Sequence, residues 1–138
     1  MTKVMTLEVI TPERVLLTEK TNFVVAPGTE GPLGILYNHA PLITGLLPGV
    51  LKYESQGRMF FIAVSSGFME IHDNRIVILA DTAERPDEID LNRALAAKER
   101  AEKRLIEQHP GLDVQRAELA LNRALARIKV AAHQQAAS

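Results

Sequence analysis

The sequence contains no cysteine. That absence removes disulfides, thiolate nucleophiles and cysteine-based metal sites together, and it fits a reducing compartment. Aromatic residues are scarce, with two tyrosines, four phenylalanines and no tryptophan. A core must therefore be built from Val, Ile, Leu and Ala. Long apolar runs are missing as well. Met59 to Val64 and Ile76 to Ala80 fall far short of the roughly 20 residues that span a bilayer. The opening MTKVMTLEVI has neither the apolar stretch nor the small-residue cleavage site of a secretory leader, so none is expected. Any membrane association is expected to run through a partner. Charge of one sign is also lacking. Sixteen basic residues balance seventeen acidic ones, which gives no global electrostatic case for nucleic acid. The length of 138 residues favours one compact domain, or one domain with an appendage.

The hydrophobic period changes along the chain. Residues 1 to about 83 read as short strands with turn punctuation. Val4 to Ile10 is β-rich and stops at Thr11-Pro12. Thr21 to Ala26 stops at Pro27-Gly28. Val50 to Glu54 alternates apolar and polar residues, Ser55-Gln56-Gly57 turns, and Met59 to Ser65 returns. Phe68 to His72 pairs with Arg75 to Ala80 across Asp73-Asn74, two residues that tolerate the positive φ of a tight hairpin. Strands at this spacing predict a sandwich or barrel. Pro27 to Gly49 holds five of the eight glycines and four of the seven prolines. It is expected to be a folded, partly exposed loop region, where function often sits.

After Ala83 the pattern turns helical. Glu88 to Gln108 has no Gly or Pro, and Asp87 is the expected N-cap with Asp90 three residues on. Ala94, Ala97, Ala101 and Leu105 form one face. His109-Pro110-Gly111 ends this helix. Asp113 caps a second, running to about His133, with Ala117, Ala120, Leu121, Ala124, Ile128 and Ala131 as its seam. So short a connection makes the helices an antiparallel hairpin. Alanine buries little area, and at about 25 cal/mol per Å2 such a seam holds less firmly than a leucine seam. Two readings stand: a hairpin that separates, and one permanently closed on the β domain.

Catalytic signatures are mostly absent. The four histidines, His39, His72, His109 and His133, are scattered, with no metal-binding spacing. There is no phosphate loop, and Gly28, Gly31 and Gly34 do not make a dinucleotide fingerprint. Ser65-Ser66-Gly67 lacks the upstream glycine of a nucleophile elbow. Asp81 and Glu84 have the proximity for acid–base work, or are simply solvated near a helix start. One constellation stands out. Asp90, Arg93 and Arg100 share a stripe of the first helix, and Arg123 and Arg127 share one of the second. Arginines at i and i+4 repel. Their stripes suit a polyanion such as a nucleotide phosphate, or form a solvated face.

Four ordered segments resemble the ε subunit of F-type ATP synthases. Gly31 to Thr44, GPLGILYNHAPLIT, is similar to the family's G-x-L-G-I-x-x-x-H-x-P-x-x-T segment. Ser66-Gly67-Phe68-Met69-Glu70-Ile71 resembles its G-G-F-x-E-V segment, IVILADTAER its following strand, and Ala117 to Ala131 its second helix. The resemblance implies an α+β protein in two parts. Residues 1–84 would form an N-terminal β-sandwich of about ten strands, and residues 85–138 a C-terminal antiparallel two-helix hairpin. It implies a non-catalytic place in the central stalk of a proton-translocating ATP synthase, peripheral on the cytoplasmic face of the bacterial cell membrane. The sandwich would bind the γ subunit and the c-ring, coupling rotation to the catalytic head. The mobile hairpin would fold against the sandwich, or extend into the αβ head and inhibit ATP hydrolysis. A weak alanine seam agrees with two such arrangements.

The resemblance also gives the arginine stripes a role. Ile89-Asp90-Leu91-Asn92-Arg93-Ala94 fits the I/L-D-x-x-R-A motif of ATP-binding family members. The remaining contacts carry over to Glu84, Arg100, Arg123 and Arg127. ATP is thus implied as a regulatory ligand, with no cofactor or metal required, and a free-standing ATP sensor is the alternative. Towards the c-ring and γ the implied contacts are Glu30, Pro32 and His39. Pro32 stands where many relatives carry an acidic or amide residue, and Ser66 replaces the first glycine of its segment.

Overall fold

A computed structural model describes residues 3–137, with side chains as far as His133. Ten strands precede two helices. They are β1 (Met5–Ile10), β2 (Val15–Thr21), β3 (Phe23–Gly28), β4 (Gly31–Ile35), β5 (Leu42–Leu46), β6 (Gly49–Ser55), β7 (Arg58–Val64), β8 (Gly67–His72), β9 (Arg75–Ala80) and β10 (Ala83–Glu84). The sheet runs β10-β7-β6-β3-β5-β8-β9-β1-β2, with β4 attached to β3. Pairing is antiparallel except between β1 and β9, which run parallel. The sheet folds back on itself until β2, at one end, reaches β6 near the other. Thr21 Oγ1 donates to the Glu54 carbonyl at 2.7 Å, and the Asn22 N–H donates to the same oxygen at 3.1 Å.

The inward faces build the aliphatic core that the composition requires. Met5, Leu7 and Val9 alternate inward on β1, and Val24, Leu51, Ile62, Met69, Ile71, Ile76 and Ile78 meet them. Tyr53 is buried there too, its ring stacked 5.2 Å from Phe60. Burial pushes its hydroxyl up to about 12, helped by Glu19 and opposed by Arg85.

The structure corrects two expectations in this half. The strand Val15–Thr21 was not foreseen, because its Thr, Glu and Lys residues disguise an edge strand that buries Leu16 and Leu17. The expected strand Thr21–Ala26 joins the last residue of β2 to most of β3. Pro27 to Gly49 is not a loop region but contains β4 and β5. Its prolines are tolerated because β4 pairs only with β3, so Pro32 lies opposite Pro27 on an edge where no further ladder bond is lost. The Asp73-Asn74 turn is as expected, with φ of 49° and 59°. Ser66 is not among the described residues of positive φ, so replacing glycine there strains nothing.

After β10, a 3-10 turn at Pro86–Glu88 leads to α1 (Leu91–Glu107) and α2 (Val114–Ala137). Asp90, not Asp87, caps α1: its Oδ1 accepts the Arg93 N–H at 3.1 Å. Pro86 draws Asp87 into the preceding turn, where Glu88 accepts the Arg85 N–H at 2.9 Å. Gln108 closes α1 in a left-handed conformation (φ 45°), and Asp113 caps α2 by accepting the Arg116 N–H at 3.0 Å.

Ala94 and Ala101 of α1 are buried, as are Ala117, Ala124 and Ala131 of α2. The seam therefore lies on the expected alanines. The second helix also has a face the sequence reading missed. Ala126 and Val130 pack on Ala63 of β7, with Val50, Phe61 and Ile89 around them. His133 stacks flat on Phe61, ring centroids 3.5 Å apart. The hairpin thus rests on the outer surface of β6 and β7, with α2 between the sandwich and α1. Among the described residues, no helix is long and apolar enough to cross a membrane.

Candidate functional site

The end of the sandwich and the hairpin meet at β10. There Arg127 Nε donates to Glu84 Oε1 at 2.7 Å, both side chains partly exposed. Arg123 lines the same recess, beside Ser65 and Thr82. That recess is only about 10 Å3, whereas on its other side Glu84 and Arg127 line a wider one of about 460 Å3 with Arg14, Asp81 and Glu88, and in this arrangement Glu84 occupies Arg127.

The other expected ligands sit along α1. Asp90 already spends one oxygen on the helix cap. Ile89 packs against the small core under α2, and Ala94 is buried in the seam. Both motif positions thus have packing roles of their own. Arg93 and Arg100 are exposed. Arg93, Arg100 and Arg123 each stand one residue before a buried seam alanine, namely Ala94, Ala101 and Ala124. Antiparallel helices reverse the sense of rotation, so equal offsets fall on the same flank. Counting out from the connecting loop, Arg93 comes level with Arg127 and Arg100 with Arg123. The folded hairpin therefore gathers four arginines along one side, with Glu84 as the ion-pair partner of one of them. Such an excess of guanidinium groups is what a chain of phosphates would neutralise.

A second ion-pair system pins the root of the hairpin. Arg14 reaches Glu88 at 2.6 Å, and Arg85 Nη2 donates to the Leu16 carbonyl at 3.0 Å. Burial pushes the Glu88 carboxyl up, but the Arg85 N–H and the Arg14 guanidinium outweigh it and hold its pKa below the ordinary value. The turn that leads into α1 is thus tied to the start of β2.

The expected partner contacts do not form one cluster. Glu30 lies in the turn between β3 and β4, and Pro32 on β4 just beyond it. His39 follows the other end of β4, its Nδ1 2.7 Å from the Ala40 carbonyl oxygen. Five residues of strand separate the two ends, roughly 16 Å at about 3.3 Å per residue. Asn38 joins His39's end to the β8–β9 turn, its N–H donating to Asn74 Oδ1 at 2.6 Å.

A surface that sequence reasoning missed lies on the outer face of β5, β8 and β9. Ile43, Phe68 and Leu79 are 72%, 63% and 51% exposed. Phe68 is paired across the strands with Leu79 on one side and Gly45 on the other. The signal was present, since all three occupy polar-phase positions of otherwise alternating strands, but it becomes a patch only once β5 and β9 flank β8.

Comparison with known proteins covers nearly the whole chain. Residues 4–86 match the family described as ATP synthase, Delta/Epsilon chain, beta-sandwich domain, and residues 87–132 match ATP synthase, Delta/Epsilon chain, long alpha-helix domain. The chain is 54% identical over 131 residues to an ATP synthase epsilon chain of Desulforamulus reducens, covering 95% of this chain and 99% of that one. It is 57% identical over 126 residues to one of Desulfitobacterium hafniense, covering 91% and 95%. Among solved structures, the fold is similar to a chain of the Euglena gracilis mitochondrial ATP synthase, F1 with c-ring, at a TM-score of 0.78, 22% identity and coverage of 96% and 84%. A chain of the Tetrahymena thermophila mitochondrial ATP synthase central stalk and c-ring is more distant, at 0.54, 18% identity and coverage of 94% and 95%.

Proposed function

From the chain's membership of the ATP synthase delta/epsilon chain family, where its relatives are epsilon chains, we propose that it is a central-stalk subunit that couples c-ring rotation to the catalytic head through γ and restrains ATP hydrolysis with its hairpin. It performs no chemistry of its own. The observation that carries the reading is how α2 is held to the sandwich: the small cluster of Ala63, Ala126 and Val130 with Val50, Phe61 and Ile89 around it, the His133–Phe61 stack and the Glu84–Arg127 pair. A partly exposed pair contributes about 1 kcal/mol or less. An attachment this light lets the helices leave the sandwich without unfolding it, so a folded and an extended form lie close in free energy. The complex would sit peripherally on the cytoplasmic face of the cell membrane.

The coupling half rests on the patch of Ile43, Phe68 and Leu79, which fits an apolar surface of γ. Glu30 and Pro32 at one end of β4 and His39 at the other are then expected to face different partners, the c-ring and γ. Phe68→Asp is expected to weaken binding of the cognate γ about 30-fold, the loss of about 2 kcal/mol expected of an aromatic anchor. Surface-immobilised γ measures it, and unchanged affinity would remove the patch from the interface.

The arginine flank favours a second, compatible reading, that of an ATP sensor. ATP would draw Arg127 from Glu84, bridge α1 and α2, and so favour the folded form. Calorimetric titration of ATP should give saturable binding that falls at least 10-fold in Arg93→Ala. No heat with the unaltered chain, or equal affinity in the variant, would set the sensor aside and leave the coupling role standing.

A further inference from the structure

Helix α2 does not cover all of the sheet on which it rests. Between it and the outer surface of β3, β6 and β7 runs a groove of about 900 Å3, within the range of about 300–1,000 Å3 usual for small-molecule sites. On β6, Leu51 and Tyr53 point into the core, so Val50 and Lys52 point outward. Val50 lines the groove with Val25 of β3 and Phe61 of β7, and Leu125 of α2 faces them.

Its charges are all of one sign. Lys52 comes from the sandwich and Lys129 from α2, both exposed. His133, stacked on Phe61, is the other titratable group, and among the described residues no carboxylate lines the groove. Lysine lays its methylene stem along apolar surface and keeps the ammonium group free for an anion. A trough with apolar walls and cationic groups from both sides is complementary to an amphipathic anion.

We propose that this groove binds a monomeric long-chain carboxylate. The hydrocarbon tail lies against Val25, Val50, Phe61 and Leu125, and the head is held by Lys52 and Lys129. Because the walls belong to two separable parts, such a ligand recognises only the folded hairpin. At a concentration 100 times its Kd it shifts the folded–extended balance about 100-fold towards folded. This is a site apart from Glu84 and the arginine flank, and it stands or falls independently of ATP binding.

Titration of the full-length protein with laurate, kept below its micelle concentration, tests it by calorimetry. Saturable binding is expected, with dodecanol, of equal tail but neutral head, at least 10-fold weaker. The double variant Lys52→Glu, Lys129→Glu changes two exposed residues, and its fold is verified by circular dichroism. It should weaken laurate at least 10-fold. Leu125→Trp, which fills the groove, should do the same by bulk alone. Hydrogen exchange at Ala126 to Val130 should slow when laurate is bound. Dodecanol binding as tightly as laurate, or an unaffected double variant, overturns the carboxylate head site. Absence of saturable binding, or association only with anionic vesicles, overturns the groove as a monomer site.

Discussion

Replacing Ala124 with leucine is expected to part α1 from α2 while the sandwich stays folded. Ala124 is 1% exposed and sits midway along the buried alanines of α2. A leucine there has no space, and overpacking of this kind costs about 1–3 kcal/mol. Elsewhere in a protein that strain is shared by a large core. Here the resisting contacts are the small seam residues of the two helices, chiefly Ala94, Ala101 and Ala117. A strain of about 2 kcal/mol shifts the balance towards the form with α1 parted from α2 about 30-fold. Hydrogen exchange separates the two parts of the chain. Amides of Leu91–Glu107 should exchange about 30 times faster than in the unaltered chain, and amides of β1, β8 and β9 should not change. Equal protection of α1 in both proteins would show that the seam yields and that α1 is held to α2 more firmly than its small residues suggest.

The second large effect falls in the sheet itself. Gly67→Ala is expected to destabilise the whole sandwich by about 3 kcal/mol. A Cβ at this position would meet the Leu79 carbonyl oxygen at 2.0 Å and the Ala80 Cα at 2.9 Å. Both are backbone atoms of β9, which is paired with β8 in the register Gly67 to Ala80. No rotamer relieves such a clash, so the strands must part. At this chain length the midpoint of thermal unfolding should fall by about 10 °C. Scanning calorimetry measures it, and a loss below 2 °C would mean that the two strands approach less closely than described. Gly67 is the second glycine of a segment whose first is already Ser66. Close approach of backbones keeps the one, whereas no positive φ demands the other.

Sequence legibility followed the amount of local information in each element. The β8–β9 hairpin was plain, because alternation flanks two residues suited to left-handed φ. The seams of α1 and α2 were plain as well, because helical spacing is a short-range property. What stayed hidden depends on pairing between distant segments. β2 ends in polar Thr18 to Thr21 and shows no alternation, and only its place beside β1 turns Leu16 and Leu17 into core. β4 and β5 were masked by glycine and proline, whose usual meaning changes on an edge. Asp90 was assigned to the wrong position in the cap because Pro86 starts a separate turn first.

The candidate site divides along the same line. The five charged positions on the two helices could be picked out by spacing and by resemblance to the family motif. That Glu84 and Arg127 bond to each other, and that Ala126 and Val130 dock on β7, could not be read from spacing. Those contacts exist only because β10 brings the end of the sheet to α2.

The parallel pairing of β1 with β9 sets an order of events during synthesis. Thr6 lies beside Arg75 and Ile10 beside Leu79, so the first strand to leave the ribosome waits for nearly the last one of its sheet. Until β9 emerges, β1 and β2 present an unclosed edge, which is the interval in which the nascent chain is most prone to stick to its neighbours. The helices come out afterwards, onto a surface that is complete only by then. The hairpin proposed as a brake is thus the last described part of the chain to find its place, and a truncated product that ends near residue 84 would have a finished sheet without it.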